Sequence, residues 1–278
     1  MFSLFKRKKD CETSSESKEE ELLFVDPHPL FHYFKMLTGI HFSSKEDITV
    51  GKMKNFALRN HIYRFDTLLS RLQTDPDLRQ QFIDMLTVNE TFFFREYEQI
   101  ECLCELVKNK KKKVRILCAP SSSGEEVYSI ILALQEAGIK LAGFDIDGID
   151  INASAIQRAR NGIFSQRSVS RLEPTLLSRF FERVNTGYHI HPLLLSKARF
   201  FQLNIFDPEV KNLGSYDIIF SRNLFIYFDE EKKKKAVEIF CELLKPEGII
   251  FFGHADILNP PPCLERVFSH QTKYYKKF

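Results

Sequence analysis

The excess of basic over acidic residues is small in this chain. Among 278 residues, 40 Lys and Arg stand against 37 Asp and Glu, a net of +3. A phosphate-backbone binder usually has a strongly basic domain, so no nucleic-acid partner is expected and any basic surface must be local. No apolar run approaches the roughly 20 residues that cross a bilayer, and the opening MFSLFKRKKDCETSSESKEEE lacks a signal-peptide core. The expectation is a cytoplasmic protein without membrane insertion. The six cysteines (Cys11, Cys102, Cys104, Cys118, Cys241, Cys263) form no CxxC pair, which fits reduced thiols better than a disulfide framework or a zinc site. No metal is expected. Cys102 and Cys104, two residues apart on a helix, should be half-buried on different faces. Gly and Pro, 11 each, are too few for a fibrous or disordered chain; 44% hydrophobic and 28% charged residues are what an ordinary globular protein carries.

Residues 1–21 read as a solvated charged tail. Residues 22–95 hold only short helices and an interdomain segment: helices around Pro29 to Met36, from near Ser43 with Glu46 completing a capping box, from Asp66 to Leu72, and after Asp75 with Pro76 in the first turn. A helix around Tyr97 to Val107 opens the second region, 96–278. There strands starting at Val114, Gly143, Ala198, Tyr216 and Ile249 alternate with helices Glu125 to Ala137, Ala153 to Asn161 and Asp229 to Leu244. This grammar specifies an α/β fold with an open, mostly parallel sheet covered on both faces, whose ligands bind at the strands' carboxyl ends. About residues 165–200 form an insertion with a helix from Pro174 to Phe181 and a hairpin of YHIHP against LLLSK. The closing LERVFSH and TKYYKKF read as an antiparallel pair. The lysine runs at Lys110 to Lys113 and Lys232 to Lys235 sit beside acids and read as solvated surface.

Chemistry concentrates where buried strands surface. The turn Pro120 to Gly124 leads into a helix starting with Glu125 and Glu126; the GxGxxG fingerprint is missing, and two first-turn carboxylates favour a cationic or hydroxyl-bearing ligand over a pyrophosphate. Asp150 ends the second strand about 26 residues after Gly124, the offset at which an acid grips ribose hydroxyls. Asn204 ends the third strand; Ser221, Arg222 and Asn223 end the fourth, and polar groups so placed suggest a pocket. Thr87 to Glu96, with three consecutive phenylalanines, reads as a lid packed over something.

The blocks T-x-N-x-T-x-F-F-R-E, S-S-G-E-E-x-Y-S, D-I-N at Asp150, N-I at Asn204, S-R-N-L-F-I-Y-F-D and L-L-K-P-E-G-I-I-F-F-G-H resemble, in order and spacing, the CheR-type chemotaxis receptor glutamate O-methyltransferases, over about residues 22–278. The resemblance implies the S-adenosylmethionine-dependent methyltransferase fold: a Rossmann-like, mostly parallel sheet with an antiparallel C-terminal strand, behind a small all-α domain and carrying a small antiparallel β insertion. It implies that S-adenosylmethionine donates the methyl group and leaves as S-adenosylhomocysteine. The acceptor implied is a glutamate in the cytoplasmic helical region of a methyl-accepting chemotaxis receptor. Carried over by position, Asn89, Thr91 and Arg95 touch the cofactor from the interdomain segment and Glu126 lies against it. Asp150 holds the ribose, Asn204 and Ile205 flank the adenine, and Arg222, Asn223 and Tyr227 line the reacting centre. Val127 and Asn152 depart from the family pattern, and the inserted hairpin is shorter than in members that dock on a receptor tail.

A glutamate is already ionised at neutral pH, its reference pKa being about 4.3, so the transfer needs geometry and no general base. Arg95 and Arg222 are expected to orient and Tyr227 to position. Lys52, Lys54, Arg59 and Arg64, with His61, offer a basic face to a receptor helix, and a monomer is expected. The rival reading is a non-catalytic S-adenosylmethionine-binding signalling module. A nucleic-acid amine methyltransferase would carry N/D-P-P-aromatic after the fourth strand, where this chain has SRNLFIYF, and the NPPP at Asn259 to Pro262 reads as a rigid turn.

Overall fold

The computed structural model describes residues 24–42, 46–108, 110, 112–256, 262–269 and 272–278. The expected tail, Cys11, Ser43 of the capping box, Lys111 and Asn259 to Pro261 lie outside the described residues. The chain divides into two compact units, the smaller ending at Leu86 and the larger formed by Thr87–Phe278 together with Thr38–Ile40.

The smaller unit is helical, as its spacing predicts: α1 (His28–Thr38), α2 (Glu46–Arg59), α3 (Phe65–Thr74) and α4 (Pro76–Leu86). Apolar residues three or four apart, such as Leu30/Phe34, Met53/Phe56 and Leu78/Phe82, give each helix one buried stripe. The Phe82 ring meets Phe56 at 5.3 Å and Phe34 at 6.1 Å between centroids. Asp75 caps α4, its Oδ1 accepting the Leu78 N–H at 3.0 Å. The expected basic face divides. Lys52 and Arg59, seven residues apart, share an exposed stripe. Lys54 is two residues from Lys52 and so faces elsewhere, its ammonium 5.5 Å from the Phe24 ring. Arg64 is held by Asp66 at 2.5 Å.

The larger unit opens with α5 (Tyr97–Lys108) and alternates as expected through β1 (Val114–Cys118), α6 (Glu125–Glu136), β2 (Phe144–Asp150) and α7 (Ala153–Asn161). After the insertion come β6 (Ala198–Gln202), β7 (Tyr216–Ser221), α10 (Glu230–Leu243), β8 (Leu244–Phe252), β9 (Leu264–Ser269) and β10 (Thr272–Lys277). The sheet order is β6-β2-β1-β7-β8-β10-β9, parallel except where β10 pairs antiparallel with β8 and β9. Along β1, Ile116 and Cys118 enter one hydrophobic cluster while Leu117 enters another, so alternate side chains build a core on each face. The chain runs from β1 outward to β6 and returns to β7 on β1's other side. The order therefore reverses at β1/β7, which opens a crevice beyond their carboxyl ends.

Three expectations differ from the structure. Cys102 and Cys104 are both buried, because α5 is covered on more than one side. The strand expected from Ile249 already starts at Leu244: a register shift against β7 absorbs Lys245 to Gly248, with Glu247 at φ +62°. The insertion's hairpin is β4 (Phe181–Val184) with β5 (Gly187–Ile190), which also pairs with β3 (Ile163–Phe164). It follows α8 (Pro174–Phe180) directly, and LLL is helical in α9 (Pro192–Leu195), because Pro192 starts a helical turn and His191 accepts the Leu193 N–H.

A buried carboxylate joins the parallel strands. Asp147 accepts bonds from Arg199 Nε (2.7 Å) and Nη2 (2.9 Å), from Arg115 Nη2 (3.2 Å) and from the Tyr216 hydroxyl (2.8 Å). Removing it takes the acceptor from Arg199 and Tyr216 and leaves Arg115 with the Ser215 and Leu213 carbonyls; both arginines are partly exposed, so the cost falls at the low end for a broken buried pair, about 3 kcal/mol. Asp147→Ala should therefore lower the urea midpoint clearly, and an unchanged midpoint would show that the network holds nothing together.

Candidate active site

The turn after β1 brings the backbone close to β2. A Cβ at Gly148 would lie 2.8 Å from Ser121 Cβ and from the Phe200 ring, so only glycine permits that approach. Gly124, at φ +95°, then starts α6 and presents Glu125 and Glu126 in its first turn. The two carboxylates are engaged differently. Glu125 accepts the Ser123 hydroxyl at 2.8 Å and the Ser168 hydroxyl at 2.7 Å. Glu126 pairs through Oε2 with Arg222 Nε at 2.5 Å.

Arg222 leaves β7 into the protein, not into solvent; only 3% of its side chain is exposed. Its Nη1 donates to the backbone carbonyls of Arg95 (2.7 Å) and Glu96 (3.3 Å). Burial opposes the charge, but Glu126 and then Glu96 outweigh it and hold the guanidinium's pKa above its ordinary value. This side chain, expected to orient an incoming carboxylate, ties α6 to the segment before α5.

That segment is anchored. Phe93 is fully buried, its ring 4.9 Å from Phe164 and 5.3 Å from Phe181, and its N–H donates to the Ser168 carbonyl. The Phe94 N–H donates to Ser129 Oγ at 2.9 Å. Of the phenylalanines expected to form a lid, Phe93 is thus a core anchor, while Phe92 stays half-exposed beside Arg95. Arg95 itself donates to the Glu90 carbonyl at 3.1 Å.

Asp150 ends β2 and is 6% exposed. It accepts the Ser122 N–H (2.8 Å) and the Asn152 N–H (2.9 Å), and Asn152 caps α7 and donates to Thr87 Oγ1. The Ser122 hydroxyl lies 3.4 Å from Asn89 Oδ1. Asp150, Asn204 and Ile205 line one cavity of about 50 Å³, walled by Ile149, Leu224 and Phe228. Asn89 and Thr91 line a second, larger cleft. Tyr227 is half-buried; burial and then Arg95 act on its phenol in opposite directions, and burial wins, so its pKa is raised and it is neutral at physiological pH. Three buried polar atoms at the strand ends and α6, Ser121 Oγ, Glu126 Oε1 and Ser221 Oγ, have no hydrogen-bond partner. Such atoms are costly unless a ligand completes them. A carboxylate oxygen among them suits a cation, and Asp150 at a strand end suits a sugar diol.

A family model described as "CheR methyltransferase, SAM binding domain" matches residues 89–274. The chain belongs to the CheR methyltransferase family. It is an S-adenosylmethionine-dependent methyltransferase, and the cation-accepting and diol-accepting groups above fit that cofactor. It is 36% identical over 242 residues to a chemotaxis protein methyltransferase of Campylobacter jejuni, covering 87% of this chain and 92% of that one. With chemotaxis protein methyltransferase 2 of Vibrio cholerae it shares 39% over 259 residues, covering 88% and 90%. Among solved structures it is similar to the N-methyltransferase NodS from Bradyrhizobium japonicum, at 14% identity and TM-score 0.38, covering 66% of this chain and 96% of that one.

The methyltransferase also contains a group that sequence reasoning missed. Asp256, just past β8, accepts the N–H groups of Asn223 (2.6 Å) and Gly253 (3.0 Å) on Oδ2 and of Phe225 (2.9 Å) on Oδ1. It thereby fixes Asn223 at φ +58° and the start of the turn that carries Tyr227. An acid a few residues beyond a strand end was the only signal. Burial lifts its pKa to about 6, although the backbone donors pull the other way. Its folded pKa thus lies above the unfolded value of about 3.9, so its contribution to stability is complete below pH 4 and is lost as pH rises through about 6. The stability of the native chain relative to Asp256→Asn should fall by on the order of 2–3 kcal/mol between pH 4 and 7 in urea titrations; a constant difference would contradict this.

Proposed function

We propose that the chain transfers the methyl group of S-adenosylmethionine to glutamate side-chain carboxylates in the cytoplasmic helical region of a chemotaxis receptor, yielding glutamate methyl esters. The relatives' names support the chemotaxis setting. One observation supports a carboxylate acceptor: among the described residues around the crevice, each acid is already held. Glu90 pairs with Arg167, Glu96 accepts the His254 N–H, Glu125 is bound by serines and Glu126 by Arg222, and Asp150 and Asp256 accept backbone N–H groups. Tyr227 is a neutral phenol. Acids held in this way serve structure, and an acceptor that arrives ionised, as a glutamate does, asks none of them to take a proton.

Bound at the strand ends, the sulfonium cofactor supplies an electrophilic methyl. Asp150 holds the ribose hydroxyls, Asn204 and Ile205 flank the adenine, and Glu126 Oε1 meets the ammonium. Asn89, Thr91 and Asn223 complete the wall. Arg222 is a positioning residue: it keeps Glu126 aimed and fastens the Arg95–Glu96 carbonyls over the same site. Arg95 and Tyr227 remain to orient the acceptor carboxylate without a tight ion pair, which would favour the ground state as opposite charges merge.

With tritiated S-adenosylmethionine and receptor-containing membranes, label should appear as a product that mild base releases as methanol. The rate should stay flat from about pH 7 to about pH 9. Label stable to base, or a rate that rises through neutrality, would show an amine acceptor or a protein base. Binding of S-adenosylhomocysteine with no transfer would leave a signalling module.

A further inference from the structure

Beside the crevice, a cleft of about 720 Å³ runs between the 89–92 segment and the turn leading into the insertion. Its lining carries two arginines and two glutamates, with two further arginines beside it. Arg158 and Arg167 line it, and Arg95 and Arg171 lie against Phe92, with Cζ to ring-centroid distances of 5.8 and 4.0 Å. The two lining acids are Glu90 and Glu125. Glu125 is buried, and its carboxylate oxygens are taken by Ser123 and Ser168. Glu90 pairs with Arg167 at 3.0 Å, but that pair is 70–87% exposed and of the kind worth at most about 1 kcal/mol, so another carboxylate can displace it. Arg171 lies over the Phe92 face, a cation–π contact that consumes none of its N–H donors.

We propose that this arginine-lined cleft docks an acidic helical segment of the methyl-accepting protein, so that the larger unit itself recognises the acceptor. The inference rests on the reading of the acceptor as glutamate-bearing and locates where its neighbouring glutamates are held. Segment 89–95 borders both the cleft and the cofactor site, so a helix anchored on Arg171 and Arg158 brings residues one or two turns away to Arg95.

Two measurements on the full chain test the docking. In the first, a fluorescent glutamate-rich helical peptide is titrated by anisotropy at low salt, with its glutamine counterpart as control. Native protein should bind the glutamate peptide and lose it as salt rises. Arg158→Glu/Arg171→Glu should weaken binding at least about tenfold, and Arg171→Gln less; calorimetric affinity for S-adenosylhomocysteine should not change. In the second, the same variants should raise the KM for acceptor and leave kcat within about twofold. No peptide binding by the native chain, equal binding of the glutamine peptide, or unaltered affinity in both variants would overturn the docking. Peptide bound through these arginines but never esterified would overturn the glutamate reading and leave the surface standing.

Discussion

One buried ion pair organises the crevice. Arg222 and Glu126 come from β7 and α6, the two elements that flank the point where the strand order reverses, and neither could be buried without the other. A guanidinium has more donors than one carboxylate oxygen requires, and Arg222 uses the surplus on the carbonyls of Arg95 and Glu96. A single side chain thus sets the spacing of three chain segments around the place where a ligand must lie. Glu126 still has one oxygen with no partner, so the same pair both builds the wall and offers it a ligand contact. Lysine could preserve the charge at this position but not the fork that reaches both partners.

Around this pair, backbone groups carry most of the precision. Asp150 and Asp256 face the crevice from opposite halves of the sheet, and each gathers N–H groups from turns that would otherwise be unpaired. Asp147, in the middle of β2, does the corresponding work inside the sheet with side chains alone. Acids along one strand have therefore separated into a structural member and a site member according to depth: Asp147 is surrounded by arginines and a phenol, Asp150 by turns and a cavity.

Much of this was legible in the sequence. Alternating apolar runs gave the parallel strands, and their terminal polar residues, Asp150, Asn204, Ser221 and Arg222, stood out because polar groups seldom close buried strands without a partner. Periodicity cannot say which way such a residue turns, so Arg222 read as a pocket group at a strand end, and only the fold shows that a carboxylate 96 positions earlier draws it inward. The hairpin was misplaced for a local reason. YHI pairs as a strand in either reading, and the choice of FERV over LLLSK as its partner depends on Pro192 and His191 starting a helical turn. Phe93 and Phe92, adjacent and identical in type, separate into anchor and surface only when the insertion packs against the first. Asp256 left almost no trace, since its partners are main-chain groups that no side-chain pattern reveals.

The central claim is that a sulfonium nucleoside sits beyond β1, β2 and β7 with its ribose on Asp150. Calorimetric titration of the native chain and of Asp150→Ala with S-adenosylhomocysteine addresses it most directly. Saturable heat from the native chain and none from the variant, with both still folded, is the expected result; equal heat from the two would place the nucleoside elsewhere.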